Sequence, residues 1–109
     1  MNKYHSRKVT YYGQTFDSIK EGQRWLLLRD RQRKGEIRNL RRQVKFELTP
    51  AAPKVGLRAL CYYADFVYEE DGKTVIEDVK GYKQGGAWDL YNAKKKMLYW
   101  RYNLLIKEV

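Results

Sequence analysis

The sequence is poor in cysteine and in long hydrophobic runs, and each shortage excludes a class of protein. Cys61 is the one cysteine among 109 residues, so an internal disulfide is excluded, as is typical of proteins in a reducing cytoplasm. No segment is long and apolar enough to cross a membrane, and the start, MNKYHSRKVTYYG, lacks the apolar core of a signal peptide. We therefore expect a cytoplasmic protein with one domain over residues 1–109 and a single hydrophobic core.

Acidic residues are scarce relative to basic ones. Lys and Arg number 23 against 13 Asp and Glu, which gives a net charge of +10 and a pI near 9.7. An excess of this size favours a polyanionic partner, above all nucleic acid, although an anionic membrane surface or solubility alone would also account for it. The chain has 10 tyrosines and 3 tryptophans, whose rings are able to stack on bases. We expect a nucleic-acid partner, with most of these rings in the core.

Hydrophobic periodicity and breaker residues divide the chain into helices and strands. An N-terminal arm over 1–16, with a short hairpin over 8–16, precedes a helix that begins at Asp17 or Ser18 and ends before Gly35. The remaining predicted elements are strands over 40–48, 57–68 and 74–79, a helix over 87–102 and a strand over 104–106. Two strands joined through a helix form a parallel crossover. The order therefore predicts an α/β fold with a mixed sheet flanked by helices.

The second predicted helix has one obvious apolar stripe. Four of its residues lie at helical spacing: Leu90, Ala93, Met97 and Trp100. Before this helix, Gly81, Gly85 and Gly86 predict a flexible loop.

The most informative local pattern is Asp71-Gly72 between two strand-like runs, which predicts a two-residue hairpin loop. In that register Asp65 lies directly opposite Asp78, and Lys80 shares the face of Asp78. Opposed like charges destabilise a strand pair, so the pattern favours a site for a divalent cation. The alternative is that both aspartates face water, but both faces of these strands are largely apolar. Alternation places Val67 and Ile76 on the face of the carboxylates and these residues on the other face: Ala64, Phe66, Val75 and Val79.

Glu21 has two interpretations. In Ser18-Ile19-Lys20-Glu21 it fits a capping box, whose carboxylate accepts a hydrogen bond from the backbone amide of Ser18. In the second interpretation Glu21 lies one turn into the helix and reaches the sheet as a further metal ligand. Gly22 is a poor helix former, which argues against a rigid position for Glu21.

The order of elements and several longer segments resemble known proteins. A helix, three strands, a helix and a strand, with an acid on one central strand and Asp78-Val79-Lys80 on the next, resemble the PD-(D/E)xK nucleases, whose restriction-endonuclease-like core is αβββαβ. The segments NKYHSRKVTYYGQTFDSIKE, RRQVKFEL and YYADFVYEEDGKTVIEDVKG, with the lysine-rich C-terminal helix, resemble small phage and prophage proteins of the domain of unknown function 1064 family. That resemblance covers nearly the whole chain, and the family is viewed as related to Holliday junction resolvases.

The resemblance implies a set of site residues. Asp65 and Asp78 would bind Mg²⁺, or Mn²⁺ as a substitute, with the carbonyl of Val79 as a third ligand and Glu21 as the helix-borne acid. Lys80 would orient the nucleophilic water and counter the charge of the transition state. Glu77 is expected on the opposite face and is assigned no catalytic role. The expected DNA contacts are Gln43, Lys45, Lys94 and Lys96.

The implied function is a Mg²⁺-dependent, structure-selective DNA endonuclease, above all a phage Holliday junction resolvase that acts on four-way or branched DNA in a bacterial cytoplasm. A nicking or restriction-like nuclease of the same fold is one alternative, and a non-catalytic basic DNA-binding module is another. A resolvase makes two symmetric nicks, so we expect a homodimer. Candidate interface aromatics are Tyr62, Tyr68 and Trp88.

Overall fold

A computed structural model of the chain describes residues 7–80 and 85–109. Its elements in chain order are β1 (Val9–Tyr11), β2 (Gln14–Phe16), α1 (Ile19–Arg33), β3 (Arg38–Thr49), a 3₁₀ turn (Pro53–Val55), β4 (Leu60–Glu70), β5 (Lys73–Asp78), α2 (Gly85–Tyr102) and β6 (Ile106–Glu108). After the β1–β2 hairpin the order is a helix, three strands, a helix and a strand, as expected. The protein is thus a mixed α/β fold.

The main sheet has the strand order β3-β4-β5-β6. The first two pairs are antiparallel and β5 pairs with β6 in parallel, because α2 carries the chain back along the sheet before β6. The sheet is therefore mixed. The strand predicted over 104–106 begins later, at Ile106, since Asn103 adopts a left-handed φ of 57° at the end of α2 and the chain needs Leu104 and Leu105 to reach the sheet edge.

The Asp71-Gly72 turn has the predicted geometry. Both residues have positive φ, 53° and 75°, as a type I′ hairpin turn requires. Glu70 pairs with Lys73, and the register continues without a shift to Phe66↔Glu77. The register that aligns Asp65 with Asp78 is thereby confirmed up to its neighbouring pair.

Helix α1 begins after Ser18, whose side-chain oxygen accepts a hydrogen bond from the Glu21 amide at 3.1 Å, and it ends before Gly35, where φ is 82°. It packs on one face of the sheet through the α1-side cluster: Phe16, Trp25, Leu28, Ile37, Phe66 and Tyr68. Gly22 permits this packing. A Cβ there would lie 2.7 Å from the Tyr11 ring and 2.8 Å from Val9. Gly22 lies buried against the hairpin, and Glu21 is buried beside it.

Helix α2 covers the other face, where Met97 is the stripe residue that packs against the core. The α2-side cluster comprises Leu48, Tyr62, Ala64, Val67, Ile76, Tyr91 and Leu98. Leu90 is 50% exposed and Trp100 is 82% exposed, so both ends of the stripe lie outside the core. Gly85 and Gly86 start the helix instead of belonging to a loop, and Gly81 lies outside the described residues.

Strict alternation fails in the middle of β4. Ala64 packs in the α2-side cluster with Val67, whereas Phe66 packs in the α1-side cluster. Ala64 and Phe66 therefore lie on opposite faces, contrary to prediction. The register does not shift between Arg42↔Phe66 and Val44↔Ala64, but Gln43 between them has a φ of 49°, which is far from strand geometry. This irregularity lets the sheet change faces at Asp65.

Two of the expected interface residues are unavailable. Tyr62 and Tyr68 are buried in the two clusters, and Trp88 is half-buried with its ring 5.3 Å from that of Tyr91. No helix within the described residues is both long and apolar enough to cross a lipid bilayer.

Candidate functional site

The predicted acids meet where β4 and β5 end their pairing. The amide of Val79 donates to Oδ2 of Asp65 at 2.8 Å, and the amide of Asp65 donates to Oδ1 of Asp78 at 3.3 Å. These two bonds link the strands one residue beyond the last paired residues. Asp65 and Asp78 are therefore held side by side by backbone amides, in the arrangement that the hairpin register predicts.

Burial makes this pair electrostatically unfavourable. Asp78 is buried and Asp65 is half-buried. Burial together with the neighbouring Asp78 carboxylate raises the pKa of Asp65 to about 7, although the Val79 amide opposes the shift. Glu21 adds to the rise. The fold therefore maintains negative charges at close range in a poorly hydrated place, which a bound cation would relieve.

Lys80 is fixed against the acids. Its Nζ lies 2.9 Å from Oδ2 of Asp78 and 3.5 Å from the centroid of the Tyr91 ring. Its carbonyl accepts a hydrogen bond from Nζ of Lys20 at 2.7 Å. Both α1 and α2 thus hold the lysine, and its ammonium group lies beside a carboxylate in a largely buried position.

Glu21 makes one of the two hydrogen bonds of a capping box, and its carboxylate is directed away from the helix cap. Its amide donates to Ser18, but its carboxylate contacts Nη2 of Arg42 at 3.4 Å. Burial raises the pKa of Glu21, Arg42 lowers it, and nearby acids including Asp78 raise it further. The side chain therefore extends from α1 towards the sheet acids, with Arg42 as its counter-ion.

The four residues expected to contact DNA do not form one surface. Gln43 lies inside the site, where its Nε2 donates to Oδ1 of Asp65 at 3.2 Å. Lys45 is exposed on β3. Lys96 is exposed and Lys94 is half-buried, and a helical rotation of about 200° separates them. The two lysines of α2 therefore cannot face one phosphate together.

Three neighbours of the acids were not predicted from the sequence. Arg42 holds Glu21 and lies over the Phe16 ring at 3.9 Å, and its Nε is buried without a hydrogen-bond partner in the described part of the chain. Burial, and then the nearby Asp78, raise the pKa of Tyr62. Tyr91 supports Lys80. Alternation along β4 places Tyr62 inward, but no local motif distinguishes Arg42 or Tyr91 from other basic and aromatic residues.

Glu77 lies on the opposite side, as predicted. Its carboxylate accepts from Nε and Nη2 of Arg24, each at 2.7 Å, and from the hydroxyl of Tyr68. Burial alone would raise the pKa of Glu77, but these hydrogen bonds lower it below the ordinary value. Glu77 is thus part of a buried ion pair that ties α1 to the sheet.

The donor set suits a hard cation held by few protein ligands. Within residues 7–80 and 85–109, no three carboxylate, imidazole or thiol groups form a ready-made metal cluster. Asp65 and Asp78 nevertheless offer adjacent carboxylate oxygens, and Mg²⁺ typically binds through one or two carboxylates while it keeps several waters. The pair therefore fits Mg²⁺, whereas Glu21 would have to leave Arg42 in order to join.

Comparison with known proteins identifies the family. Residues 1–108 match the model of the family described as "Protein of unknown function (DUF1064)". The chain belongs to this family. No curated protein and no solved structure matches it.

Proposed function

We propose that this protein is a Mg²⁺-dependent, structure-selective DNA endonuclease that resolves four-way junctions. The observation that carries the proposal is the adjacent pair Asp65 and Asp78, held by backbone amides with Lys80 at 2.9 Å. Such a pair weakens a fold unless it has a ligand, because the charges repel and are poorly hydrated. The αβββαβ order and the spacing of these residues also resemble the PD-(D/E)xK nucleases.

Each group has a role in phosphodiester hydrolysis. Asp65 and Asp78, with the carbonyl of Val79, would hold Mg²⁺, which supplies an acidified water and neutralises charge at the phosphate. Lys80 presents an ammonium group beside Asp78, where it orients the attacking water and stabilises negative charge in the transition state. Gln43 positions Asp65 through its hydrogen bond to Oδ1.

The charge of the whole chain supports a DNA substrate. A net charge of +10 attracts a polyanion. Acids at and beside the site have partners of their own: Arg42 for Glu21, Arg24 for Glu77, Lys80 for Asp78 and the Val79 amide for Asp65. Lys45 and Lys96 are exposed cations, and within the described residues no ion pair involves either of them. They are therefore available for phosphate contacts, with Lys94 on a different side of α2.

A junction substrate calls for two sites. One chain provides a single acid pair, while resolution of a four-way junction needs two symmetric nicks. A two-fold symmetric homodimer matches the symmetry of the junction and joins two basic surfaces.

One cleavage assay tests the proposal. The protein is incubated with Mg²⁺ and labelled four-way junction, flap, single strand and linear duplex, and cuts are mapped at nucleotide resolution. Paired, symmetric nicks in the junction are expected. Cuts in linear duplex alone would identify a nicking or restriction-like nuclease instead, and tight binding without cuts by a properly folded protein would identify a non-catalytic DNA-binding module.

A further inference from the structure

We propose that Tyr63 and Lys45 form a platform that binds an unpaired nucleotide next to the acid pair. The inference rests on the proposed nuclease function and specifies its substrate further, as DNA with a single-stranded or branched segment at the cleavage site. It assigns to Tyr63 a role that the sequence pattern did not suggest.

The two residues face each other across β3 and β4. Lys45 and Tyr63 are direct partners in the register. Each is two residues from a residue of the site, Gln43 in β3 and Asp65 in β4, which corresponds to roughly 7 Å along a strand. Along the backbone the platform is therefore next to Asp65, although it faces the side of the sheet opposite to Asp78 and Lys80.

This part of the sheet is covered on one face only. Val44, Phe46, Tyr62 and Ala64 pack in or against the α2-side cluster, so the residues between them point to the opposite face. Helix α1 packs on that opposite face only beyond the change of faces at Asp65, through Phe66 and its neighbours. Tyr63 is consequently 54% exposed, and Lys45 is exposed beside it.

Within the described residues, no strand pairs with this part of β4 on the side of β5. Strand β5 pairs with β4 from Phe66 to Glu70, whereas β4 begins six residues earlier, at Leu60. The segment that carries Tyr63 thus extends past the acid pair without β5 beside it. In this proposal a strand of nucleic acid passes around this edge of β4, from the ring on one face to the acids.

The chemistry of the platform fits a nucleotide better than a protein. Within the described residues no hydrogen bond or ion pair involves the side-chain ammonium of Lys45 or the Tyr63 hydroxyl, so a flat ring and a cation are both available. Glu47, the next residue of this face on β3, is paired with Arg101 at 3.7 Å. An isolated ring among charged neighbours offers no contiguous apolar patch for a protein partner.

The ring selects bases that are not already stacked. An aromatic side chain stacks on an exposed base face, and this interaction tolerates any base. Inside a duplex both faces of each base are occupied by neighbouring bases. A platform next to the acids therefore favours branch points, flaps and single strands over intact duplex.

The test uses branched DNA with 2-aminopurine at the unpaired position beside the expected cut, in EDTA to prevent cleavage. Tyr63→Phe should preserve the quenching of 2-aminopurine and the affinity. Tyr63→Ala should remove the quenching and weaken binding to branched DNA about tenfold, with no change for plain duplex. Tyr12→Ala removes another exposed tyrosine, on the β1–β2 hairpin, and is the matched control. Melting temperatures confirm folding.

The outcomes separate this inference from the proposed function. If Tyr63→Ala binds branched DNA as wild type does, the platform is overturned, and cleavage by wild type in Mg²⁺ still supports the nuclease. If quenching depends on Tyr63 but wild type cuts nothing, the nuclease is overturned and the platform stands. A wild-type protein that binds no DNA overturns both.

Discussion

Glu77 and Asp78 are adjacent in the chain, yet their carboxylates lie on opposite faces of the sheet with different partners. Glu77 is bound by Arg24 of α1, whereas Asp78 lies beside Asp65 and Lys80. Two neighbouring acids thus provide a matched pair of substitutions. A substitution at Glu77 tests the stability of the fold, and a substitution at Asp78 tests the chemistry of the site.

Asp78→Asn and Asp65→Asn should each abolish cleavage and leave DNA binding intact or tighter, because a ligand for Mg²⁺ is lost and negative charge near the phosphates is removed. Glu77→Gln should instead lower the free energy of unfolding by about 3 kcal/mol, since a buried ion pair loses one partner, and should retain cleavage below its melting temperature. Cleavage assays and thermal melts on all three variants measure both effects. Full activity in either aspartate variant would refute the site.

The Asp-Gly turn explains why so much of this site could be predicted. A two-residue loop determines the pairing of every residue along both strands, so Asp65 and Asp78 follow from Asp71 and Gly72 alone. The contact between Glu21 and Arg42 could not be predicted in this way, because it depends on how α1 docks against β3. Docking is determined by side-chain packing between elements that are distant in the sequence.

Helix α2 shows a different limit. Two apolar stripes are present in its sequence, and a helical period alone does not say which one faces the sheet. Tyr91 and Leu98 are buried because they meet Tyr62 and the cluster around it. The change of faces between Ala64 and Phe66 could not be predicted either. It depends on the left-handed conformation of Gln43, and glutamine has no strong preference for that conformation.

The pH dependence of the protein's stability should reveal the raised pKa of Asp65 directly. The pKa of Asp65 is about 7 in the folded protein and about 4 in an unfolded chain. Between these values the folded state holds a proton that the unfolded state has released, so stability falls as pH rises through this window. Asp65→Asn cannot ionise. Its melting temperature in EDTA should therefore exceed that of wild type at pH 8, and the difference should vanish near pH 4.

Asp30 provides a control of opposite sign for this measurement. Hydrogen bonds from Lys34 and Arg33 lower the pKa of Asp30, so its contribution is present above the unfolded pKa and is lost as pH falls. Asp30→Asn should leave stability unchanged or slightly lower at pH 8. If Asp65→Asn and Asp30→Asn both raise the melting temperature at pH 8, the cause is a general effect of net charge and not the environment of Asp65.

Glu21→Gln separates a role in the site from a role in the helix. The Glu21 carboxylate contacts Arg42 rather than completing the capping box, so we expect a much larger loss of cleavage than of stability. Ser18→Ala removes the cap itself and should lower the free energy of unfolding by about 1 kcal/mol with little effect on cleavage. A large fall in melting temperature for Glu21→Gln, at near-normal cleavage rate, would assign the residue to the fold.

Gly22→Ala should destabilise the protein although alanine is the better helix former by about 1 kcal/mol. The added methyl group would overlap Tyr11 and Val9, and the β1–β2 hairpin would have to move away from α1. Gly86→Ala is the control, because a Cβ there meets nothing within 4 Å, and it should be neutral or stabilising. Equal melting temperatures for the two variants would show that the β1–β2 hairpin moves away from α1 without any loss of stability.

The homodimer is expected to use the α2 stripe, whose two ends, Leu90 and Trp100, are exposed. Leu90, Ala93, Met97 and Trp100 follow the three-and-four spacing of a helix–helix seam, and Trp100 at one end is almost fully exposed. Two copies that pack these helices about a two-fold axis would bury the ring. Light scattering should give twice the 13.1 kDa mass of the chain, and Trp100→Arg should shift the protein to monomers and impair paired nicking.

Leu27→Arg is the control for this experiment, since Leu27 is also exposed but belongs to α1, on the opposite face of the sheet. That variant should remain dimeric. A dimer that survives Trp100→Arg would place the interface elsewhere. A strict monomer that cuts linear duplex as readily as junctions would overturn the resolvase proposal and leave the nuclease intact, because a single acid pair suffices for one nick but not for two symmetric ones.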